Sequence, residues 1–288
     1  MSIEIKNINK SYGKINALDD ISLTIEENKI YGLFGRNGVG KTTLMNIINN
    51  RVFPSSGEVL IDGENVRKSN KALSKVFMIS ESNLFPKDMK LKKLFKLIKG
   101  YYKEFDILKA ESLLVKFELS DNKKVRGLST GQLTMLKLIV GLCINTPYLI
   151  FDEPVNGLDA NHREQFYRLL LKKYIEEPCT IIVSTHLIDE IANLVEEVII
   201  IDSGKVIAKK SKDEFLSEGF AVSGKRNDVD EFTKNYEIIS SEEIGMIKTV
   251  YVIGTIPNEI PDGIEISRLN LQKLFIKLTN QKEGQYEA

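Results

Sequence analysis

The stretch Gly35-Arg36-Asn37-Gly38-Val39-Gly40-Lys41-Thr42-Thr43 contains the pattern G-x-x-x-x-G-K-[ST]. An apolar run, residues 29–34, precedes it, and residues 41–50 have a helical pattern. In this context the glycines let backbone N–H groups converge on phosphate oxygens, and the helix N-terminus adds partial positive charge. We therefore expect these nine residues to bind a nucleotide. Lys41 would reach the β- and γ-phosphates, and the Thr42 hydroxyl would bind Mg²⁺.

Two adjacent carboxylates, Asp152 and Glu153, follow a second apolar run, residues 148–151. Parallel α/β sheets place ligand chemistry at the carboxyl ends of their strands. Asp152 is expected to hold Mg²⁺ through water, and Glu153 to orient or deprotonate the attacking water. An acidic turn after a strand is common by itself, so this interpretation depends on the loop at residues 35–43.

The chain has two histidines, for which the sequence indicates different roles. His186 follows the strand pattern 180–184, so a neutral imidazole there could contact the γ-phosphate and the attacking water. We expect it to act with Glu153. His162 opens a helical pattern and is expected to be a surface residue.

Composition excludes several classes of protein. The 288 residues are 42% hydrophobic and 28% charged, which is typical of globular proteins. Forty basic residues balance forty acidic ones, which argues against a protein that coats nucleic acid by bulk charge. Cys143 and Cys179 are expected to be reduced core residues. The chain has no apolar run of about 18 residues and no signal-peptide pattern at its N-terminus, so a membrane role would require a partner.

Strand and helix patterns alternate along residues 1–210, which predicts an α/β domain with parallel strands. A boundary is expected near residue 210. Residues 211–288 contain nine Lys and Arg against fourteen Asp and Glu, a net charge of −5. Short strand-like runs and a helix-like end, residues 271–278, predict a small α+β accessory domain there.

The stretch Leu128-Ser129-Thr130-Gly131-Gln132 resembles the signature motif of ABC-transporter ATPases. The order of the other motifs matches that family over about residues 1–210. The resemblance implies a P-loop ATPase domain with a mixed sheet and a helical subdomain, at about residues 82–145. Tyr12 resembles the aromatic residue that stacks on adenine, residues 156–159 resemble the D-loop, and His186 resembles the switch histidine.

In this family two ATPase domains pair head to tail, and each ATP lies between one P-loop and the partner's signature motif. The resemblance therefore implies ATP and Mg²⁺ as cofactors and a second ATPase subunit as partner. It adds these nucleotide contacts to those at residues 35–43: Tyr12, Ser129, Gly131, Gln132 and Asp159.

Two departures from the family pattern stand out. Thr130 replaces the usual glycine of the signature, a common change. The family also has a Gln after the strand pattern 76–79, where it contacts Mg²⁺, but this chain reads Ser80-Glu81-Ser82. Either Ser80 or Glu81 takes that place. We favour Glu81 as a metal ligand, because a carboxylate can still bind Mg²⁺.

The resemblance implies a transport ATPase that drives a separate transmembrane permease from the cytoplasmic face of the cell membrane, with no nucleic-acid partner. Residues 87–103 hold seven lysines, which suits either a solvated helix face or a permease-docking surface. The glutamate-containing loop and the acidic tail resemble firmicute exporters of drugs or of antimicrobial or cytolytic peptides. The alternatives are a soluble ABC-type ATPase of assembly or translation, and a regulatory half that binds ATP without hydrolysing it.

Overall fold

The computed structural model describes residues 1–257 and 259–280, with the side chains of residues 277, 278 and 280 excepted. The last eight residues of the predicted accessory domain, 281–288, lie outside this range. The strands are β1 (Ser2–Tyr12), β2 (Ile15–Glu26), β3 (Ile30–Phe34), β4 (Ser56–Ile61), β5 (Glu64–Asn65), β6 (Val76–Ile79), β7 (Tyr148–Asp152), β8 (Thr180–Ser184), β9 (Glu197–Asp202), β10 (Lys205–Ser211), β11 (Gly219–Lys225), β12 (Glu237–Ile244), β13 (Ile247–Ile253) and β14 (Ile264–Arg268). The helices are α1 (Lys41–Ile48), α2 (Asn70–Leu73), α3 (Leu91–Tyr101), α4 (Ile107–Lys116), α5 (Thr130–Cys143), α6 (Ala160–Glu176), α7 (Ile188–Ile191), α8 (Lys212–Leu216), α9 (Arg226–Thr233) and α10 (Leu271–Asn280).

A six-stranded sheet in the order β10-β9-β3-β8-β7-β6 forms the centre of the molecule. Four of its five pairs of neighbouring strands are parallel, and only β10, at the edge beside β9, runs antiparallel. Strands β3, β7 and β8 are buried along their whole length, as expected for strands covered on both faces. This confirms the α/β fold predicted from the alternating patterns.

Each face of the central sheet packs into a different apolar core. Tyr31 and Leu33 of β3 pack with α1 and with an antiparallel sheet, in the order β2-β1-β4-β5. Ile30 and Phe34, on the opposite face, pack with the helices of the second core. Successive side chains of a strand point to opposite faces, so one short strand contributes to both cores.

Helices α3, α4 and α5 form a helical layer that joins the second core. All three lie within the predicted helical subdomain at 82–145. The apolar face of α3 is buried, while its lysines at 92, 93 and 96 are exposed. Cys143, at the end of α5, and Cys179 are both buried and free, as predicted.

The accessory region forms a third sheet, antiparallel throughout, in the order β12-β13-β11-β14. One small core lies between this sheet and α9. Helix α10 instead packs against α7 and α8, and its Phe275 ring lies 6.4 Å from the ring of Phe34. The tail therefore contributes a helix to the core of the ATPase fold. The predicted boundary near residue 210 falls at the end of β10, and the division into two domains stays a prediction.

In the part of the chain that is described, no helix has the length and apolar character needed to cross a membrane.

Candidate nucleotide-binding site

A cavity of about 390 Å³ opens where the carboxyl ends of β3, β7 and β8 meet, and we call it the P-loop cavity. It brings together the predicted phosphate loop, both carboxylates, the switch histidine and Glu81, although these are spread over 150 residues of sequence. Its lining residues are Ala17, Asn37, Gly38, Gly40, Lys41, Thr42, Thr43, Glu81, Asp152, Glu153, Asn156 and His186.

Glycine is required at two positions of the loop for steric reasons. A Cβ on Gly35 would lie 2.4 Å from the Ile201 carbonyl oxygen. Gly40 has a φ of 109°, and a Cβ there would lie 2.5 Å from the Ala17 carbonyl oxygen. Residues with side chains could not bring the loop backbone this close to β2 and β9, so the glycines set the loop's path.

Lys41 is buried at the start of α1, and its Nζ donates to the carbonyl oxygens of Gly35 (2.6 Å) and Arg36 (3.0 Å). Burial lowers the pKa of Lys41, and the negative charges of Glu153 and Asp152 act in the opposite direction. The loop therefore closes around an ammonium group, which can bind an anion that enters the cavity. Of the other loop residues, Arg36 is exposed and Val39 is half-buried.

Asp152 is 4% exposed, and its Oδ1 accepts no hydrogen bond within the described residues. Burial is the main cause of its raised pKa, and the nearby charge of Glu153 adds to the effect, while the Thr42 hydroxyl and Lys41 oppose it. An unpartnered carboxylate oxygen beside a threonine hydroxyl and an ammonium group fits a hydrated Mg²⁺ bound with nucleotide phosphates. Such an ion needs few protein ligands, and the described residues contain no cluster of three or more His, Cys, Asp or Glu suited to a metal.

We expect Asp152→Asn to raise the free energy of unfolding of the nucleotide-free protein by about 1–3 kcal/mol at pH 8 without Mg²⁺. The substitution removes a buried carboxylate with an unpartnered oxygen. The folded-state pKa lies above the ordinary value, so folded protein binds the proton more tightly than unfolded protein. The destabilisation caused by the ionised Asp152 carboxylate is therefore complete above the folded-state pKa and decreases as the pH falls towards about 4. Thermal melts at several pH values in EDTA would measure both effects.

Asp62 provides the matched control for this prediction. It accepts hydrogen bonds from Ser2, Lys75 and Tyr148, and these outweigh the opposing effect of burial and lower its pKa. Asp62→Asn should therefore destabilise the protein. If both Asn variants lowered the melting temperature, the buried Asp152 carboxylate would not destabilise the nucleotide-free protein.

Glu153 and His186 form a pair at the mouth of the cavity, with 2.9 Å between Oε2 and Nδ1. Glu153 has a φ of 47°, in the left-handed region that non-glycine residues rarely adopt. Its backbone N–H donates to the Ser184 carbonyl oxygen at 2.8 Å, which ties the turn after β7 to the end of the neighbouring strand β8. The carboxylate thus stands at the end of β7 beside an exposed imidazole, where it can accept a proton from a water molecule.

The two candidates for the position of the missing Gln lie in different surroundings. The Glu81 carboxylate belongs to an exposed residue that lines the P-loop cavity. The Ser80 hydroxyl instead accepts a hydrogen bond from Arg51 at 3.2 Å, and Ser80 does not line this cavity. Their positions therefore favour Glu81 as the residue nearest to the phosphate site.

The signature residues do not line the P-loop cavity. Ser129, Gly131 and Gln132 line a separate cavity of about 220 Å³ that we call the signature cavity, and Thr130 lines another, beside Asp152 and Glu153. Ser129 caps α5: its Oγ accepts from the Gln132 N–H, and the Gln132 side chain accepts from the Ser129 N–H. A Cβ on Gly131 would lie 3.3 Å from the Gly157 carbonyl oxygen, so glycine permits this close approach to the D-loop. The residues lining it are Phe117, Leu119, Ser129, Gly131, Gln132, Met135, Gly157, Leu158, Asp159 and His162.

Tyr12 lies away from both cavities, at the end of β1. Its ring is about half exposed, and the Lys10 ammonium lies 4.8 Å from the ring centroid. An exposed aromatic face is available for stacking, but the ring is not among the residues that line the P-loop cavity.

Sequence reasoning missed three residues of these sites. Asn156, which the resemblance placed in the D-loop but not among the nucleotide contacts, lines the P-loop cavity with Glu153. His162, predicted to be a surface residue, is half-buried in the signature cavity, with Nδ1 2.7 Å from Asp159 Oδ2. Lys137, on α5, is buried beside Glu81. No local pattern identifies Lys137, because its partners are set by tertiary packing, whereas His162 pairs with Asp159 three residues earlier in the sequence.

Comparisons with known proteins identify the family of this chain. The ABC_tran family, described as ABC transporter, matches residues 18–156. The lantibiotic transport ATP-binding protein SrtF of Streptococcus pyogenes is 31% identical over 215 residues, which are 73% of this chain and 91% of SrtF. The ABC transporter ATP-binding protein YtrB of Bacillus subtilis (strain 168) is 28% identical over 280 residues, which are 97% of this chain and 93% of YtrB.

Solved structures agree with this family. An ATP-binding subunit of an ABC transporter matches with a TM-score of 0.67 at 22% identity, over 75% of this chain and 92% of that one. A dimeric ATP-binding cassette in a post-hydrolysis state with ADP and Pi matches with a TM-score of 0.63 at 26% identity, over 73% of this chain and 98% of that one. Since the relatives are matched over most of their length and share this fold, the chain belongs to the ABC transporter family and is an ATP-hydrolysing subunit.

Proposed function

We propose that this chain is a peripheral subunit on the cytoplasmic face of the cell membrane, where its ATP hydrolysis drives a separate transmembrane permease. We further propose that the transporter is an exporter of peptide or drug-like cargo. ATP would bind with Mg²⁺ between two ATPase subunits, which pair head to tail and are either identical or different.

The observation that carries the two-subunit proposal is the separation of the P-loop cavity from the signature cavity. Among the described residues, none of residues 128–132 lines the P-loop cavity. Each chain therefore offers half of a nucleotide site at each of two places. A head-to-tail pair would complete both halves, with the N-terminus of α5 facing the phosphates held by the partner. Asp159, in the signature cavity, would then also lie at the contact between subunits.

The proposed roles in catalysis follow from the positions of the side chains. Residues 35–43 would hold the phosphates, with Lys41 moving from its own loop carbonyls to the nucleotide. Thr42, Asp152 and Glu81 would hold Mg²⁺, which when bound offsets phosphate charge. Glu153 would take a proton from the attacking water, and His186, 2.9 Å away, would orient that carboxylate and contact the γ-phosphate.

The proposed permease contact is the helical layer, especially α3. Its apolar face is buried, and its other face presents the lysines at 92, 93 and 96 without ion pairs in the described part of the chain. Glu81 precedes this helix by ten residues, so a change at the nucleotide could move the docking surface. The lantibiotic transport name of SrtF supports export, while another relative, the aliphatic sulfonates import ATP-binding protein SsuB of Zymomonas mobilis subsp. mobilis, is named for import.

We expect the tagged chain, purified from gently solubilised native cells, to bring down a polytopic membrane protein in near-equal amount. Reversing the charge at Lys92, Lys93 and Lys96 together to Glu should reduce recovery of that protein while ATP binding is retained. The single control Lys172→Glu, on exposed α6, should leave recovery unchanged. Recovery with ribosomes or a soluble assembly complex, and no membrane protein, would overturn the transport proposal.

The same cells test the direction of transport. Cells lacking this chain should become more sensitive to amphipathic antimicrobial peptides or drugs of one class. The parent chain should restore resistance, and the Glu153→Gln variant should not. If sensitivity were unchanged and uptake of a nutrient were lost instead, the exporter proposal would be wrong and the ATPase assignment would stand.

A further inference from the structure

Lys137 is a buried cation that the roles described above do not use. It lies on α5, two turns after the signature residue Ser129, and it is 8% exposed. Within residues 1–257 and 259–280 it forms no ion pair with a carboxylate; its Nζ donates to the carbonyl oxygens of Ser80, at 3.0 Å, and Glu81. The charge of the ammonium group is therefore stabilised mainly by hydrogen bonds to backbone carbonyl groups.

Burying the charged Lys137 side chain costs stability, which indicates that the residue has a function. Burial lowers the pKa of Lys137, while the charge of Glu81 opposes that change. A buried charge is tolerated where hydrogen bonds replace its hydration, and a buried aliphatic residue would avoid the cost altogether. What a lysine provides here is a double attachment to consecutive carbonyl groups, which fixes the backbone of residues 80–81.

The attachment lies directly behind the proposed catalytic groups. Lys137 lines a third cavity, of about 210 Å³, whose walls also include Glu81, Asp152, Glu153 and Asn156. One turn earlier on α5, the Thr134 hydroxyl donates to the Asn156 carbonyl oxygen at 3.1 Å. Helix α5 is thus fastened both to the loop that carries Glu81 and to the loop that follows Glu153.

We propose that Lys137 is a positioning residue for Glu81: it anchors residues 80–81 to α5 and so sets where the Glu81 carboxylate stands in the P-loop cavity. This inference rests on the proposed role of Glu81 in holding Mg²⁺. Residues that orient a metal ligand typically change metal affinity or activity by 10- to 100-fold when they are replaced.

The test measures ATPase rate against Mg²⁺ concentration for the full-length protein, together with binding of a fluorescent ATP analogue in EDTA. Lys137→Met keeps the length of the side chain but removes its donors. It should raise the Mg²⁺ concentration for half-maximal turnover by about 10-fold. Binding of the analogue in EDTA should change by less than about 2-fold, because the phosphate loop is untouched, and Lys137→Arg should restore most of the Mg²⁺ response.

Lys173→Met is the matched control, because Lys173, on α6, is also buried but pairs with the Glu177 carboxylate just past the end of that helix. It should lower stability and leave the Mg²⁺ response unchanged. Lys137→Met combined with Glu81→Ala should be no worse than Glu81→Ala alone, since one residue acts through the other. If Lys137→Met does not fold, Lys137→Gln is held to the same criteria.

The outcomes separate the inference from the proposed function. If Glu81→Ala shifts the Mg²⁺ response and Lys137→Met does not, or if the two effects add, the positioning role is overturned. If Glu81→Ala itself causes no shift, the metal role of Glu81 is wrong and the inference falls with it. The permease and export proposals are tested by co-purification and sensitivity, which neither result affects.

Discussion

Replacing Glu153 by Gln should lower the kcat of ATP hydrolysis by about 10²- to 10⁴-fold and leave ATP binding intact. The amide keeps the size of the side chain but cannot accept a proton from water. The left-handed backbone at residue 153 suits Gln no less than Glu, so the turn that follows β7 should keep its shape. The loss should therefore be chemical, with little change in folding.

Steady-state ATPase assays would measure the loss of kcat, and size-exclusion chromatography would show whether ATP binding still produces a dimer. With Mg²⁺ and ATP the variant should accumulate as a dimer, since ATP completes two shared sites and is not hydrolysed. Glu164→Gln, on the exposed face of α6 where Glu164 pairs with Arg168, is the matched control and should behave as the parent. A Glu153→Gln variant that turned over at the parent rate would show that another group is the base.

Replacing Leu274 by Ala should lower the free energy of unfolding of the whole protein by about 2–5 kcal/mol. Leu274 is 1% exposed on α10 and belongs to the same core as Phe34, the residue that precedes the phosphate loop. The deletion leaves a void that the rigid central sheet cannot close. Because α10 packs against α7, which begins two residues after His186, the substitution should destabilise the ATPase fold itself.

Urea denaturation followed by far-UV circular dichroism would measure this change. Ile276→Ala, on the same helix, shortens a side chain that is 40% exposed and should cost much less. Equal stability of the two variants would mean that α10 is not part of the main core. A separate early transition for the Leu274→Ala variant would mean that the tail unfolds independently.

The nucleotide site was largely predictable from sequence because each of its parts is local. Residues 35–43 bind phosphate through their own backbone, and Asp152 and Glu153 follow a strand whose end position is fixed by its apolar run. Parallel strands bring such ends to one edge, so three separate motifs predict a single cavity. Between Ser80 and Glu81, the sequence favoured Glu81 because a carboxylate can bind Mg²⁺, and the structure adds that Glu81 lines the P-loop cavity whereas Ser80 does not.

Other features escaped prediction for physical reasons. Helix α4 was not predicted. Its Leu108 and Val115 are apolar yet 79% exposed, so apolar residues are not confined to one face and the helical periodicity of the sequence is weak. The roles of Lys137 and α10 depend on contacts between residues 57 and about 240 positions apart. Such pairings are decided by the packed fold, and no window of sequence contains both partners.

The backbone of Glu153 has a consequence for how this enzyme can evolve. A left-handed conformation costs a residue with a side chain about 1–2 kcal/mol, and glycine avoids that cost. A lineage selected for heat resistance alone would therefore gain from exchanging this glutamate for glycine, and would lose the base that we propose for ATP hydrolysis. The proposed base is thus held at a cost in stability that the backbone of its own turn imposes.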